Sequence, residues 1–398
     1  MMLQKKQTKY INWLVSFIIV TLAISPAFAL GDGNRNLLLI GMMSVFPYFF
    51  FRYPIIIPQI DIPLIFLCSM MIVFPFIFHP ETLRWSTVLY SCMFCMYFMA
   101  FVRILYHSNY TLWNFSKLLK GLIYAYCIVL IIQQFCVIAG LPIFNVSNYS
   151  VTEPFKLNSL TAEPSHSARI IPILTYIYIC CQIKILGDVK TISLKDSFMT
   201  DKWVWFAFFW TTFTMVSATA FIFMIIVFAK FINIKKIVPS LFIVAMIGLF
   251  FAMNSNNKMV KRVIDVASAT ITFNEKAIIK ADHSASFRIV PTIQGAKSVG
   301  IFDLDDWIGH GIDADQRMIK PLPSVKFGSA GAFYLWFNFG LIVAFIFWLF
   351  TLKICCINGD FVSIWIWFLC VFMVGGLNNQ ILWLVIVLIT TYKYLNRK

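Results

Sequence analysis

Charge is scarce in this chain. Only 12% of its 398 residues are charged, whereas a soluble globular domain usually carries about a quarter. Hydrophobic residues make up 60% of the sequence, so a soluble domain and a disordered chain are both excluded. Because a transmembrane helix needs about 20 mostly apolar residues, the chain has room for about a dozen of them. We therefore expect an all-α polytopic membrane protein that forms a single integral membrane domain over residues 1–398.

Apolar stretches follow one another along the chain and predict 12 transmembrane helices. One stretch, Trp203–Ile234, is too long for an ordinary span, and Ser217-Ala218-Thr219-Ala220 predicts a turn that divides it. Arg103 and Lys230 lie near predicted cytoplasmic ends, where snorkelling of the side chain to the surface is the ordinary explanation. The stretches lie at about Ile11–Leu30, Asn36–Phe51, Ile62–Phe78, Ser86–Tyr106, Leu119–Leu141, Arg169–Leu186, Trp203–Val216, Ala220–Ile234, Ile237–Met253, Ser329–Leu352, Phe361–Val374 and Ile381–Tyr394.

Acidic residues are fewer than basic ones, 17 against 32, which gives a net charge of +15. Lys and Arg concentrate in the cytoplasmic loops of membrane proteins. With the N-terminus in the cytoplasm, 18 basic residues lie on cytoplasmic segments and 4 on short external loops. This asymmetry explains the charge without nucleic acid as a partner. It predicts a multi-pass protein of the bacterial inner membrane with both termini in the cytoplasm.

Cysteine is absent from the predicted external loops, although the chain has ten cysteines. No disulfide framework is therefore expected, even in an oxidising exterior. Cys92 and Cys95 have the spacing of a metal or redox pair. Their apolar surroundings, with no His or acidic residue nearby, favour plain packing instead. No metal site and no cofactor are predicted.

The end of the first external loop, residues 142–168, and the first residue of the span after it carry three reactive side chains at regular spacing. Glu163, His166 and Arg169 are three apart, which aligns them on one side of a helical turn. One interpretation is a capped helix entrance, with Ser165 as the N-cap and Arg169 anchored at the lipid headgroups. The other is acid–base chemistry beside an anionic leaving group, which suits a carboxylate, an imidazole and a guanidinium at a membrane surface.

The long external loop, residues 254–328, has room for a small helical subdomain. Apolar residues between Val260 and Ile271 recur at helical spacing and predict an amphipathic helix, and a second helix is expected from Ser286. The charges are segregated, since the first part of the loop is mainly basic and residues 298–316 carry five acidic and no basic residues.

The basic residues of the long loop have competing interpretations. Lys258, Lys261 and Arg262 are expected to bind anionic lipid in the simplest reading, because basic clusters beside a membrane do so. For Arg288 and Arg317 we favour specific phosphate recognition, since a planar guanidinium pairs bidentately with phosphate oxygens.

The acidic residues of the long loop have the ligand types of a divalent cation site. Asp303, Asp305 and Asp306 precede His310 by a few residues. Their spacing matches no known cation-binding loop, so a solvated acidic turn is favoured.

The layout and motifs together resemble a known family. Many spans, a medium external loop with Glu163-Pro-Ser and Arg169, and then a long external loop are similar to the O-antigen and capsular polysaccharide polymerases of the Wzy type, which are related to the O-antigen ligases. In the long loop, Ser284-Ala-Ser-Phe-Arg288, a helix and then Gly309-His-Gly311 resemble the small-x-x-Arg and Gly-x-Gly pattern of that family.

The resemblance covers the topology of the whole chain and about 30 residues of motif. The span entry Gly331–Ile342 and the closing Gly375-Gly-Leu-Asn-Asn-Gln380 also fit the family. Two positions depart from related patterns. Gly328-Ser329 stands where O-antigen ligases usually have a His-Asn pair, which counts against a ligase, and Ala218 stands in the turn where the family often has Arg.

The resemblance implies an activity. Such enzymes join glycans carried on undecaprenyl pyrophosphate by glycosyl transfer at the outer face of the inner membrane, with a GT-C-like mechanism that uses neither nucleotide sugar nor metal. Basic side chains hold the leaving pyrophosphate, here expected at Arg169, Arg288, Arg317 and Lys297. The implied partners are undecaprenyl-pyrophosphate-linked glycans, membrane lipid, a chain-length regulator and a flippase.

An acid–base group must also deprotonate the acceptor sugar hydroxyl, and Glu163, His166 and His310 are the candidates. We favour His166, because one helical turn places it beside Arg169 and an imidazole has a reference pKa of about 6.5. The neighbouring charge would keep the ring neutral. Glu163 would orient it, and His310 would contact acceptor or phosphate from the other loop. A capping or stacking role for His166 is the alternative.

Three other functions remain open from the sequence. An O-antigen ligase would transfer the finished glycan to a lipid core, and a flippase or other transporter would move lipid-linked oligosaccharide without extending it. Transporters usually place ionisable residues at mid-membrane, so apolar span centres and a 75-residue external loop weigh against transport. A purely structural or docking membrane protein is the third.

Overall fold

The computed structural model describes residues 2–24, 29–30, 35–145, 151, 154–187, 193–215, 218–231, 258–323 and 325–397. This part of the chain is helical, apart from an antiparallel pair of two-residue strands, β1 (Ala29–Leu30) and β2 (Arg35–Asn36). The helices are α1 (Met2–Ile24), α2 (Leu37–Arg52), α3 (Pro58–Phe78), α4 (Trp85–His107), α5 (Leu112–Ile138), α6 (Pro164–Ile185), α7 (Leu194–Thr200), α8 (Lys202–Thr214), α9 (Ala218–Ala229), α10 (Lys258–Ile271), α11 (Glu275–Ala281), α12 (His283–Ser298), α13 (Leu304–Ile308), α14 (Ala314–Met318), α15 (Tyr334–Phe339), α16 (Leu341–Cys355), α17 (Phe361–Trp367), which continues as a π-helical turn (Phe368–Phe372), and α18 (Gln380–Leu395).

Four of the described helices, α3 to α6, are long and apolar enough to cross a membrane. Each predicted apolar stretch within the described residues is helical over most of its length, and the stretch at 237–253 lies outside them. The long stretch Trp203–Ile234 is divided as predicted, since α8 ends at Thr214 and α9 begins at Ala218. The all-α class and its apolar helices are therefore confirmed.

The core of the bundle is built around α18. Its residues from Ile381 to Ile389 are almost completely buried, and it packs against α1, α4, α6 and α16. Trp383 lies between Phe94 and Phe98 of α4, with ring centroids 5.9 Å apart in both pairs. In contrast, α3 and α5 keep large exposed apolar faces, as expected for helices that meet lipid.

A buried ion pair joins α3 to α4. Arg103 donates two hydrogen bonds to Asp61, at 2.9 and 2.8 Å, and each side chain is only 4% exposed. The guanidinium also lies over the Phe50 ring, 4.3 Å from its centroid. The expectation that Arg103 snorkels was wrong, because a carboxylate on the neighbouring helix satisfies it inside the protein.

Lys230 is also held by protein rather than by the surface. Its ammonium pairs with Asp360, the N-cap of α17, and Tyr176 of α6 donates to the same carboxylate at 2.7 Å. Snorkelling was therefore the wrong expectation for Lys230 as well. Unlike the pair on the consecutive helices α3 and α4, this contact ties together segments that are far apart in sequence.

The connecting segments meet in two separate groups. At the long-loop end of the bundle, Arg84 pairs with Asp313 at 2.8 Å, and the His79 ring lies 2.7 Å from the Gly309 carbonyl. At the opposite end, the Lys393 ammonium donates at 3.0 Å to the Ile354 and Cys356 carbonyls. Here too Lys120 pairs with Asp201 at 2.5 Å, and Tyr394 donates to the Tyr106 carbonyl at 3.1 Å.

The described part of the long loop forms a small helical unit from α10 to α14. Ala269, Ile278, Val290, Ile293 and Leu322 form an apolar core of its own. The predicted amphipathic helix corresponds to α10. The second helix begins at His283 rather than at Ser286, because Asp282 caps it by accepting a hydrogen bond from the Ala285 N–H at 2.8 Å.

Two glycines let the long loop pack closely against the bundle. A Cβ on Gly309 would lie 2.4 Å from the Asn338 carbonyl oxygen, and one on Gly311 would lie 2.5 Å from the Thr82 hydroxyl. Both glycines have φ above +90°, a conformation that other residues rarely adopt. The predicted span Ser329–Leu352 is broken for the same reason: Gly340, with φ of +91°, separates α15 from α16 where the Trp307 carbonyl approaches.

Candidate functional site

A buried polar network holds the chain that leads into the candidate site. The Ser159 N–H donates to the Gln133 side chain at 2.9 Å, and the Ser159 hydroxyl donates to the Tyr126 carbonyl at 2.6 Å. Further on, the Thr161 hydroxyl donates to the Glu163 carbonyl at 2.7 Å. Because an unpaired buried polar group is costly, these bonds fix the path of the first external loop up to the start of α6.

Glu163 is the N-cap of α6, and Pro164 occupies the first helical position. The residue before a proline is driven to extended backbone, and Glu163 has φ of −135° and ψ of 144°. Ser165 is therefore not the N-cap, as it would be in one of the two interpretations of this segment. Its hydroxyl donates instead to the Glu163 carboxylate at 3.2 Å. This local structure leaves the Glu163 side chain exposed at the N-terminal end of α6.

The first turns of α6 present His166 and Arg169 together, as the spacing predicted. The backbone N–H of His166 donates to the Glu163 carbonyl at 3.1 Å. The side-chain Nε of Arg169 donates to the Ser165 carbonyl at 3.3 Å. Both side chains are half-buried. The remaining donors of the Arg169 guanidinium form no further hydrogen bond to the residues that the structure describes.

Arg288 comes to the same place from the long loop. It lies in the second turn of α12, and its guanidinium donates to the Thr219 hydroxyl at 2.9 Å. Thr219 stands at the start of α9, and α9 packs along α6. Arg288 itself remains exposed. Helix α9 is thus the support that brings a side chain of the long loop beside the first turns of α6.

The charges of Glu163 and Arg169, at the start of α6, act on Arg288 of the long loop. Desolvation and the nearby Arg169 charge lower the pKa of Arg288, whereas the Glu163 carboxylate raises it. Arg169, Glu163 and Arg288 are also the charged groups that act on the His166 ring. Glu163, His166, Arg169 and Arg288 therefore form one cluster, which we call the loop-junction cluster.

The guanidinium groups of the loop-junction cluster have carboxylates in their surroundings, since Glu163 and Asp282 both raise the pKa of Arg288, but they form no ion pair with them. Within the described ranges, neither Arg169 nor Arg288 has a carboxylate within ion-pair distance. The Nδ1 atom of His166 is buried and has no hydrogen-bond partner among the same residues. Two guanidinium groups can bind an anion, and an imidazole beside them is a group that can exchange a proton.

The structure places the other predicted site residues elsewhere. The His310 ring stacks on Phe337, with centroids 4.5 Å apart, and its Nδ1 lies 3.1 Å from the Phe337 carbonyl. Arg317 is exposed and donates to the Ile312 carbonyl at 2.9 Å. Lys297 forms an ion pair with Glu275 at 2.6 Å.

Lys297 also differs from Arg288 in direction. The two residues are nine positions apart on α12, and nine steps of about 100° place them on opposite faces of a helix. The pairing of Lys297 with α11 is consistent with this placement. On the same helix, one basic residue thus faces the loop-junction cluster and the other faces away from it.

The acidic stretch of the long loop stabilises a helix start. Asp303 and Asp306 form a reciprocal capping box at α13, and buried Asp306 also accepts a hydrogen bond from the Gly300 N–H at 2.9 Å. In the part of the chain that the structure describes, no group of three or more His, Cys, Asp or Glu residues is arranged to hold a metal ion. The sequence favoured a solvated acidic turn, and the exposed Asp303 and Asp305 agree with it, whereas Asp306 is buried.

Two residues near the loop-junction cluster were missed from the sequence. Thr219 fixes Arg288, and the thiol of Cys370, in the π-helical turn after α17, is an electrostatic neighbour of Arg169. For Thr219 a signal existed, because it lies in the turn that the sequence predicted within the stretch 203–234. No sequence signal pointed to Cys370, because a π-helical turn has no simple residue pattern.

Comparisons of the chain with family models, with curated protein sequences and with solved structures give no match.

Proposed function

We propose that the chain polymerises undecaprenyl-pyrophosphate-linked oligosaccharide repeat units into O-antigen or capsular polysaccharide, by glycosyl transfer at the outer face of the bacterial inner membrane. The observation that carries this proposal is that Arg169 of α6 lies near enough for its charge to act on Arg288 of the long loop, while neither forms an ion pair with a described carboxylate. The sequence resemblance to the Wzy-type polymerases supplies the substrate class.

The two groups of connecting segments support the proposed topology. Twelve spans with cytoplasmic termini put residues 79–84, 142–168, 218–219 and 254–328 on one side. Contacts join two of the shorter segments to the long loop, 79–84 through Arg84 and Asp313 and 218–219 through Thr219 and Arg288. The segments assigned to the cytoplasm meet at the other end. A polypeptide that crosses the membrane at each predicted span would produce this separation.

A pyrophosphate group fits the charge of the loop-junction cluster. Two guanidinium groups near each other repel, and after desolvation, which is the larger cause, the Arg169 charge also lowers the pKa of Arg288. A multiply charged anion between them removes this repulsion and accepts their free donors in bidentate pairs. Because both loops lie at the same end of apolar helices, the anion would be the headgroup of a lipid.

In the proposed reaction, an acceptor sugar hydroxyl attacks the anomeric carbon of the donor glycan. The bond from that carbon to the phosphate oxygen breaks, and undecaprenyl pyrophosphate leaves with the electron pair. His166 takes the hydroxyl proton, Glu163 supports the ring charge that develops, and Arg169 and Arg288 stabilise the departing pyrophosphate.

Arg317, Lys297 and His310 take no leading part in this proposal. Lys297 is paired with Glu275, and Arg317 donates to the Ile312 carbonyl. The Nδ1 atom of His310 lies at the Phe337 carbonyl. Their participation in substrate binding stays a prediction of the sequence alone.

The test is a product analysis with the purified protein in proteoliposomes and a synthetic undecaprenyl-pyrophosphate repeat unit. We expect a ladder of longer lipid-linked chains, resolved by gel and mass spectrometry. Glycan transferred to an added lipid A core acceptor instead would identify a ligase. Movement of the lipid-linked glycan across the bilayer without extension would identify a flippase.

A further inference from the structure

Large apolar side chains are exposed just before and within α13. Ile301, Phe302, Leu304 and Trp307 are all exposed, and Phe302 is 94% exposed. We call them the α13 patch. Isolated exposed apolar residues are common, but a contiguous group marks a surface that meets a partner or a membrane.

The α13 patch is held in place rather than carried on a loose loop. The capping box closes the first turn of α13, and the Trp307 indole N–H donates to the Ile301 carbonyl at 3.0 Å. Trp336 donates to the Asp306 carbonyl at 3.0 Å from the other side. These bonds keep the four apolar side chains outside the protein, where the bundle cannot cover them.

Two contacts near the C-terminal end of α13 fix its position along the length of the bundle. The Gly309 carbonyl, directly after α13, lies 2.7 Å from the ring of His79, which follows the last residue of α3. The Trp307 carbonyl lies against Gly340, the residue before α16 begins. Helix α13 therefore packs at the level where α3 ends and α16 begins.

The apolar surface of α3 continues up to this level. Phe76, Ile77 and Phe78 at its end are exposed, and Trp85, which follows the turn, lies 6.5 Å from the Phe76 ring. Since α3 is long and apolar enough to span a membrane, these residues would lie at the edge of the bilayer. Aromatic residues, and Trp above all, are favoured in that zone.

We propose that the α13 patch inserts into the lipid leaflet next to the long loop and anchors the loop to the membrane. Its occupant is bilayer lipid, because the patch adjoins the lipid-facing end of α3 at the height of the membrane boundary. Exposed Asp303 and Asp305 in the same segment lie among the headgroups. The inference depends on α3 crossing the membrane and not on glycan transfer.

Site-specific photocrosslinking tests this proposal with all native cysteines in place. A photoreactive phenylalanine derivative replaces Phe302 or Leu304, and the protein is reconstituted in vesicles of phosphatidylcholine and phosphatidylglycerol. We expect lipid adducts by mass spectrometry at both positions, at a yield near that of a lipid-facing probe at Phe76. A probe at Gln316, an exposed polar residue of α14, is the matched control and should give few or none.

A spin label gives an independent readout. A nitroxide at Leu304 should be more accessible to oxygen than to a water-soluble nickel chelate, and a label at Gln316 should show the reverse. Adducts between two protein chains at Phe302 would show that a second copy covers the patch, and chelate access equal to that at Gln316 would show that water covers it. Either result would overturn the membrane anchor, whatever the outcome of the polymerisation assay.

Discussion

Replacement of Arg288 tests the loop-junction cluster most sharply, because α12 also supplies a control. Arg288 uses one of its donors on Thr219 and keeps the others free for a phosphate. Lys297 lies on the same helix with the same charge, but it faces away and pairs with Glu275. The two residues therefore differ in direction rather than in charge or in the helix that carries them.

The expected effect follows from the number of free donors. Loss of one preorganised donor to a developing charge costs about 3 kcal/mol, which is about a hundredfold in rate. Arg288→Ala should therefore lower kcat/KM for polymerisation by about two orders of magnitude. Part of the loss is offset, because the repulsion of Arg169 in the free enzyme disappears. Arg288→Lys keeps the charge without the planar fork, so we expect about a tenfold loss.

Lys297→Ala should change the same rate by no more than about threefold, since an exposed ion pair is worth under about 1 kcal/mol. Initial rates of chain extension in proteoliposomes, at equal protein and low substrate, measure all three variants. A rate for Arg288→Ala within threefold of wild type would refute the assignment. So would equal losses for Arg288→Ala and Lys297→Ala, which would indicate a general effect of net charge.

Three further predictions concern the bundle, the base and the topology. Asp61→Asn leaves Arg103 buried without a charged partner and should cost about 3–5 kcal/mol of stability, seen as a lower Tm in detergent; an unchanged Tm would favour snorkelling. If His166 is the base, the polymerisation rate falls at acid pH as the ring becomes protonated, and His166→Ala should lower the rate and remove this limb; a retained limb places the base elsewhere. A cysteine at Ser298 should react with an impermeant thiol reagent in intact cells and one at Lys195 only after permeabilisation; the reverse pattern would invert the topology.

Much of the helical architecture was predictable, because apolar length is a local property of the sequence. The division of the stretch at 203–234 followed from length and from the small residues in its middle. The break at Gly340 did not, since it arises where the Trp307 carbonyl of a distant segment approaches the backbone. Spacing along one stretch cannot report a contact between two segments.

For the charged residues too, contacts between residues near in sequence were predictable and contacts between distant segments were not. The three-residue spacing predicted that His166 and Arg169 share the first turns of a helix. The ion pair of Arg103 with Asp61 was missed, because these residues are 42 positions apart and lie on different helices. Arg288 was predicted as a phosphate ligand, but its support by Thr219 depends on how α9 packs.

The motif Gly309-His310-Gly311 marked an important place in the structure, but for packing rather than for chemistry. Gly309 and Gly311 were noticed as a family-like motif, with His310 between them as the candidate for chemistry. The structure gives both glycines a packing reason, since each lies too close to another segment for a side chain. The motif therefore marks where the long loop docks on the bundle, and His310 stacks on Phe337 there.

The central claim is that Arg169 and Arg288 hold one pyrophosphate between the two loops. A double-mutant cycle of kcat/KM for polymerisation, with Arg169→Ala, Arg288→Ala and both together, tests it most directly. We predict that the double variant loses clearly less than the product of the single losses, with a coupling of at least about 1 kcal/mol, because both groups act on one ligand. Losses that multiply independently would place the two arginines at separate sites and contradict the account.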